Sequence, residues 1–382
     1  MDQLVIFKLE VDMFNILITA AGSPGFITVC KALKESHFSI GGLKIHGCDI
    51  DENAIGLKFA DHSFKVPPGN SIKYIELLLK YVKDNKIQAV IPCADEELIP
   101  LSNSLQLFED EGCKVLVSSK KCLEKILDKS KLYQFLENNV DPELRELVPT
   151  YNICDNFDKF VESYNMLKTL GHIVCVKPSI THGSRGFRVI RPTITQEDFF
   201  NKKINMQDIT LEALLNILEQ NNKKFPTLLV MQYLSGEEYS VDCLREKESF
   251  YCVPRRREII KEGICTTGEV VQKEDLIKIS EKIYNELNLS FNANIQFKYD
   301  ILGNPKILEI NPRLSGTLEL CRGAGINFVE LGLDSLLGLE NKKRNEIAWG
   351  TKMTRVWEEV FFGDRKTFTL SSVSATIPRE KA

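Results

Sequence analysis

The segment Ile307-Leu308-Glu309-Ile310-Asn311-Pro312-Arg313 carries a carboxylate, an amide and a guanidinium at alternate positions. In a strand, successive side chains point to opposite faces, so Glu309, Asn311 and Arg313 would share one face and Leu308, Ile310 and Pro312 the other. Oxygen donors beside a guanidinium suit Mg2+, which is held by one or two protein oxygens and completed by phosphates. A half-exposed strand with a polar outer face would read the same way. A partner strand, Asn294 to Asp300, alternates polar and apolar residues and returns through Ile301-Leu302-Gly303-Asn304-Pro305, where Gly-Asn is a hairpin signal. Pro305 has no N–H for a closing ladder bond, so a loop longer than two residues is expected. This pairing sets Gln296 across from the Glu309/Asn311 end and brings Lys298 near Glu309, where a simple cross-strand ion pair is the plainer role.

Two lysines and a turn could hold anions. Lys177 directly follows the apolar run Ile173 to Val176, which places an ammonium at a strand end. The turn Thr181-His182-Gly183-Ser184-Arg185-Gly186 follows, and such a turn exposes backbone N–H groups that can cover a polyphosphate; an ordinary hairpin turn has the same composition. Lys129 falls on a helix expected over Asp128 to Asn138, where a lysine is usually solvated. The run Met231-Gln232-Tyr233-Leu234 can offer backbone groups to an adenine edge, and Glu238 beyond it can accept ribose hydroxyls. Arg255 and Arg257, in Pro254-Arg255-Arg256-Arg257-Glu258, share a strand face and could fork onto a carboxylate. Arg322 is a further candidate.

These groups need a scaffold, and the chain supplies an alternating one. Apolar runs at Asn15–Ala20, Leu43–Cys48, Gln88–Pro92 and Lys114–Val117 are separated by helical patterns, which implies a parallel sheet with covering helices over the first ~120 residues. Ser119 to Asn139 reads as helix, with Leu123, Leu127, Leu132 and Leu136 as its buried stripe. Phe187 to Ile190 reads as a strand and Thr210 to Gln220 as an amphipathic helix. Strands and hairpins run from Leu228 to near Pro312.

The 382 residues suggest two or three domains. Forty-nine basic against 53 acidic residues give a net charge of −4, which excludes a broadly basic nucleic-acid binder and offers an anionic membrane nothing. The uncharged stretch Met13 to Cys30 is interrupted by Ala21-Gly22-Ser23-Pro24-Gly25, which would break a spanning helix. The eleven cysteines contain no CxxC pair and most fall in apolar runs, as core thiols of a reducing, cytoplasmic setting do. The five histidines show no metal-ligand spacing.

Taken in order, these segments resemble the ATP-grasp superfamily, closest to the carbamoyl-phosphate-synthetase-large-subunit-like group that includes biotin carboxylase and the pyrrolysine-pathway ligase. The resemblance runs from about Asn15 to Gly338, and its most specific piece is Gln296 followed after thirteen residues by Glu309 in Leu308-Glu309-Ile310-Asn311-Pro312-Arg313. It implies an α/β fold, α+β in the C-terminal half: a Rossmann-like pre-ATP-grasp domain over residues 1–120, a linker helix and lid subdomain over 121–230, and an antiparallel-sheet catalytic subdomain with a polar tail over 231–382.

Carried over position by position, Lys129 and Lys177 resemble the residues holding ATP phosphates, and Gly183, Ser184, Arg185 and Gly186 the lid loop. Met231 to Leu234 resembles the adenine hinge and Glu238 the ribose acid. Glu309 and Asn311 resemble Mg2+ ligands, with Gln296 where many relatives have a carboxylate, so one or two ions are implied, Mn2+ being a substitute. Arg313 resembles the arginine facing the transferred phosphoryl group, and Arg255 and Arg257 border the reaction site. The turn Thr19-Ala20-Ala21-Gly22-Ser23-Pro24-Gly25 lacks GxGxxG although Asp49 sits at the next strand end, where a ribose acid would be expected. Asp95, Glu96 and Glu97 are candidates for an amine substrate, or acids at a helix N-terminus.

The activity implied is ATP-dependent carboxylate–amine ligation: a small carboxylate, an amino acid among the candidates, becomes an acyl phosphate that an amine displaces. The partners expected are small molecules, with no nucleic acid or membrane and with room for a homodimer. Two other readings stay open, an NAD(P)-dependent oxidoreductase built on the first domain and an ATP-binding protein without ligase activity.

Overall fold

The computed structural model describes residues 13–181, 185–195, 197, 207–220, 225–261, 263–339, 346–357, 359–361 and 368–369. The apolar runs of the first region form a parallel sheet, with β1 (Phe14–Ile18), β2 (Leu43–Asp49), β3 (His62–Lys65), β4 (Ala89–Ile91) and β5 (Lys114–Val115) in the order β3-β2-β1-β4-β5. β3 is polar, which hides it from any search for apolar runs. Helix α1 (Pro24–Lys34) starts with proline in its first turn, where the missing N–H costs nothing, and buries Phe26, Val29, Cys30 and Leu33. Helix α2 (Ile72–Asn85) is capped by Ser71 and ends at Lys86 in the left-handed region. Two short helices, α3 (Leu98–Asn103) and α4 (Leu105–Asp110), follow β4.

The helix expected over Ser119 to Asn139 is two helices, α5 (Lys120–Ile126) and α6 (Lys129–Glu137). Asp128 breaks it by adopting an extended conformation and accepting from the Ser130 N–H, an N-cap that starts α6 afresh. Helix α7 (Pro142–Glu146) leads into the second sheet: β6 (Tyr151–Cys154), β7 (Val174–Pro178), β8 (Arg188–Arg191), β9 (Asp208–Thr210) and β10 (Leu228–Gln232), ordered β6-β10-β7-β8-β9. Helices α8 (Phe157–Thr169) and α9 (Leu211–Glu219) cover it, with Phe160, Leu167, Val176, Leu214 and Val230 in their shared core. The expected boundary at 230/231 falls inside β10, which pairs with β6 and β7 rather than opening the third region.

The third sheet is antiparallel: β11 (Glu238–Glu246), β12 (Ser249–Lys261), β13 (Ile264–Val270), β14 (Ala293–Tyr299), β15 (Pro305–Asn311) and β16 (Lys352–Thr354), ordered β15-β14-β11-β12-β13-β16. Helices α10 (Glu274–Glu286), α11 (Glu319–Gly323) and α12 (Phe328–Leu337) accompany it. One hydrophobic cluster contains Ile16, Ile18, Val29 and Leu33 of the first region together with Leu244, Val253, Leu314, Phe328 and Val329 of the third. Among the described residues no helix is long and apolar enough to cross a membrane. All eleven cysteines are buried and unpaired.

Candidate functional site

Strict alternation along β15 fails at one residue. β14 and β15 pair Asn294 with Asn311 and Gln296 with Glu309, then slip so that Phe297 meets Ile307. Leu308 is the extra residue of a bulge. Ile307 and Ile310, three apart, therefore both enter the core, and Leu308 does not share the face of Ile310 as alternation predicts. Glu309 and Asn311 keep their common face and line one small cavity with Lys129, Thr181 and Asp95. The five-residue loop between Tyr299 and Pro305 agrees with the proline argument. Lys298 does not approach Glu309; it sits opposite Lys306 and reaches Glu238 at 3.4 Å.

The bulge turns the Leu308 carbonyl towards two donors, the Lys177 ammonium and the Tyr133 hydroxyl, each at 3.1 Å. Lys177 lies within β7, not after it, and its Nζ also donates to the Tyr133 hydroxyl at 3.1 Å. Burial pushes its pKa below the ordinary lysine value, against the opposing pull of Glu309. Tyr133, fully buried on α6, is the residue that sequence reasoning missed; as one more core aromatic it carried no signal.

Lys129 is the first residue of α6 and is 6% exposed, so the solvated role is wrong. Its Nζ donates to the Thr181 carbonyl at 2.7 Å and pairs with Glu309 at 3.3 Å. Burial alone would raise the Glu309 carboxyl, but Lys129 and Lys177 overcome it and hold it below its ordinary range. Asn311 donates its amide to Glu309 at 3.1 Å, and the Gln296 amide oxygen accepts from Arg257 at 3.2 Å. Among the described residues no three His, Cys, Asp or Glu gather as a metal cluster. The donor set is thus one carboxylate with two amides. All are hard oxygens, and a half-turn of the Asn311 amide would present its oxygen beside Glu309. That set fits Mg2+ completed by phosphate and water, and does not fit a softer metal.

The arginines divide. Arg313 is bidentate to Asp95, Nε to Oδ1 at 2.7 Å and Nη2 to Oδ2 at 3.1 Å, so the first and third regions meet at this pair. Arg255 is 1% exposed and fully enclosed: it pairs with Asp242 and donates to the Thr317 carbonyl at 2.9 Å and the Ser315 and Ser240 hydroxyls at 3.1 and 3.2 Å. Its guanidinium holds β11, β12 and the loop after β15 together, which leaves it no carboxylate-binding fork for a substrate. Arg257 does share its strand face, but reaches Glu238 at 2.5 Å and the Gly263 carbonyl at 2.6 Å. Arg322 is spent on Glu319 and Glu35 at the surface between α11 and α1.

Met231 and Gln232 end β10, and Tyr233 and Leu234 follow it; the Tyr233 N–H bonds to the Ile173 carbonyl at 2.7 Å. Glu238, Arg257 and Lys298 line a cleft of about 690 Å3 with Gly236, Glu237 and Arg256. Arg185 and Gly186 are exposed, and Gly186 has φ +74°, while Gly183 and Ser184 lie outside the described residues.

Asp49 does not wait for a ribose. Its carboxylate accepts from the Gly22 N–H at 2.6 Å and the Asp51 N–H at 2.9 Å, and it is 7% exposed. Glu97 is likewise internal, accepting from Thr19 at 2.6 Å, the Cys93 and Ala94 N–H groups at 3.0 and 2.9 Å, and Tyr74. Of the three acids after β4, Glu96 alone is exposed.

Residues 224–359 match the family model described as ATP-grasp in the biosynthetic pathway with Ter operon, and residues 16–116 match the PylC-like N-terminal domain. The chain carries an ATP-grasp domain. The carbamoyl phosphate synthase large chain of Clostridium acetobutylicum is 24% identical over 296 residues, covering 74% of this chain but only 25% of that one, so this ATP-grasp chain spans about a quarter of that relative. The ADP complex of N5-carboxyaminoimidazole ribonucleotide synthetase superposes with a TM-score of 0.62 at 15% identity, over 91% of this chain and 80% of that one. The biotin carboxylase domain dimer of the Hydrogenobacter thermophilus 2-oxoglutarate carboxylase, with MgADP, ADP and bicarbonate, gives a TM-score of 0.63 at 17% identity, over 95% and 84%. The likeness of fold thus extends through residues 117–223, which neither family model covers.

Proposed function

We propose that this ATP-grasp protein is an ATP-dependent ligase that joins a small carboxylate to an amine with release of ADP and phosphate. The observation that carries the reading is the convergence of Lys129 and Lys177 on Glu309 at the bulge, two buried ammonium groups beside one carboxylate. An enzyme that transfers a phosphoryl group needs alignment and charge neutralisation more than covalent help. In this reading Lys129 leaves Glu309, and Lys177 leaves the Leu308 carbonyl, to meet the phosphates of ATP. Glu309 and Asn311, with Gln296, are the residues that would hold Mg2+, which supplies charge neutralisation on the transferred group.

A carboxylate oxygen then attacks the γ-phosphorus and the bond to ADP breaks, giving an acyl phosphate. The amine nitrogen attacks the acyl carbon, phosphate departs, and the nitrogen loses a proton. Met231 to Leu234 would receive the adenine and Glu238 the ribose. No thiolate is called for, and burial pushes the Cys175 thiol up to about 12. The bound Asp49 carboxylate argues against a dinucleotide in the first region. A cytoplasmic setting suits eleven buried thiols.

The test is ADP release from Mg·ATP across pools of carboxylates and amines. Release that needs both a carboxylate and an amine is the expected result. Failure to bind Mg·ATP, or binding that survives Glu309→Ala combined with Lys177→Ala, would overturn the reading.

A further inference from the structure

We propose that the Arg257 guanidinium takes the place of a second divalent ion, so that one Mg2+ and not two accompanies ATP in this site. This rests on the ligase reading and adds to it the charge complement of the nucleotide site. Arg257, on β12, stands between the Glu238 side and the Glu309 side of that site. Its Nη1 donates to Glu238 at 2.5 Å and to the Gln296 amide oxygen at 3.2 Å, and its Nη2 donates to the Gly263 carbonyl at 2.6 Å. The side chain is 7% exposed, and its acceptors on β11, on β14 and in the turn before β13 hold it from three directions.

The contact fixes the orientation of the Gln296 amide. An arginine donates and never accepts, so the atom facing it is the oxygen. Gln296 lies across the ladder from Glu309. A carboxylate at this position would bring a negative charge that two neighbouring dications could share, whereas the amide brings none. The oxygen has two lone pairs: one accepts from Arg257, which leaves the other for an ion held with Glu309 and Asn311. A second ion on the Glu238 side would share one neutral oxygen with a guanidinium donor, cation against cation. Glu238 itself is already paired with Arg257 and with the Lys298 ammonium at 3.4 Å. Among the described residues no cluster of three His, Cys, Asp or Glu supplies the missing negative charge.

The neighbouring arginine shows the difference between a brace and this role. Arg256 pairs with Glu237, Glu258 and Glu269, carboxylates at the strand surface, and does not reach Gln296. Arg257 is the one directed at the donor set. A guanidinium is always charged and stays where its acceptors hold it, so this cation is present whatever the metal concentration. Phosphoryl transfer requires neutralised charge, and not that every neutralising charge be a metal.

The experiment counts Mn2+ by electron paramagnetic resonance in the full chain, with protein in excess over a non-hydrolysable ATP analogue. Wild type should take one Mn2+ per bound nucleotide and keep the spectrum of an isolated ion under excess metal. Gln296→Glu should still take one, because Arg257 pairs with the new carboxylate. Gln296→Glu combined with Arg257→Gln should take two, whose separation of about 3.5–4 Å gives a spin-coupled spectrum. Arg257→Gln alone should bind the analogue about tenfold more weakly at low Mn2+, and excess Mn2+ should restore part of that loss. A coupled pair in the wild type would overturn the proposal and leave the ligase reading standing. So would a double variant that binds the analogue with a single ion, or a loss in Arg257→Gln that no metal concentration restores, the mark of a brace. Wild-type protein that binds no analogue at any Mn2+ concentration would remove the ligase reading and this proposal with it.

Discussion

The Lys177 ammonium rests on the main-chain carbonyl of Leu308, 3.1 Å away, because a one-residue bulge in β15 swings that carbonyl out of the ladder. A neutral carbonyl is a weaker partner for an ammonium than a phosphate oxygen, so under the proposed function an arriving polyphosphate would draw the lysine away from it. The same bulge puts Glu309 on the cavity side while Ile307 and Ile310 anchor the strand in the core. One inserted residue thus sets both the acid and the resting place of the cation.

Replacing this cation tests its role directly. Lys177→Met should weaken binding of a Mg·ATP analogue by about tenfold or more, read by calorimetry. Stability moves separately. Burial holds the folded pKa below the unfolded value, so the unfolded chain binds more protons between the two, and stability rises with pH through that interval up to the ordinary lysine value. In Lys177→Met that alkaline rise should flatten, measured by urea unfolding across the range; an unchanged slope would contradict the assignment.

Glu309 has the opposite sign. Its folded pKa is held below the ordinary value by Lys129 and Lys177, so it contributes stability above the unfolded pKa and loses it as pH falls through the folded one. Glu309→Gln should be less stable than wild type at neutral pH, with the gap closing below about pH 4 as the unfolded carboxyl, and then the folded one, take up protons. ADP formation should fall about a hundredfold or more.

The buried Asp242–Arg255 pair should behave as structure. Asp242→Asn leaves an arginine that is 1% exposed without its counter-ion and should cost about 3–5 kcal/mol. The double change Asp242→Leu with Arg255→Met removes both charges and should cost less than the single one. Chemical unfolding of the cycle gives the coupling, and strictly additive losses would argue that the two charges do not depend on each other.

His46 predicts an acid limb far from the site. Its ring is buried on β2, against His62 and 2.9 Å from the Tyr81 hydroxyl, and burial lowers its pKa to about 4, with His62 adding to the effect. The unfolded chain takes up this proton near pH 6.5, so stability from this group falls as pH drops from there to about 4, on the order of 3 kcal/mol in all. An NMR titration should show the His46 ring unprotonated at pH 5 to 6, and His46→Phe should soften the acid limb; a ring that titrates near 6.5 would refute it.

The four apolar strands of the first sheet, the β14–β15 pairing and the place of Gln296 across from Glu309 were legible because each rests on a period or a pairing rule. β3 was not legible, since His62-Ser63-Phe64-Lys65 has no buried alternation to read. Asp128 is a strong cap inside an unbroken leucine stripe, and the stripe outweighed it until the backbone showed two helices. The bulge at Leu308 left no mark, because a single inserted residue preserves composition and spoils only the parity. Arg255 and Arg257 were read correctly as neighbours on one face. What that face meets, Asp242 and Glu238, is decided by β11, far away in sequence.

The hydrophobic cluster shared by the first and third regions has a consequence for how the pocket can adapt. Ile16, Val29 and Leu33 are packed in the same cluster as Leu314, Phe328 and Val329, so the loop carrying Asp95 and the turn carrying Arg313 are welded to one frame. A close-packed interior resists separation of its halves. The spacing between that loop and that turn is therefore set by the shared core and not by the ion pair that bridges them. Cutting the pair would free two side chains to rotate while the frame around them keeps its dimensions.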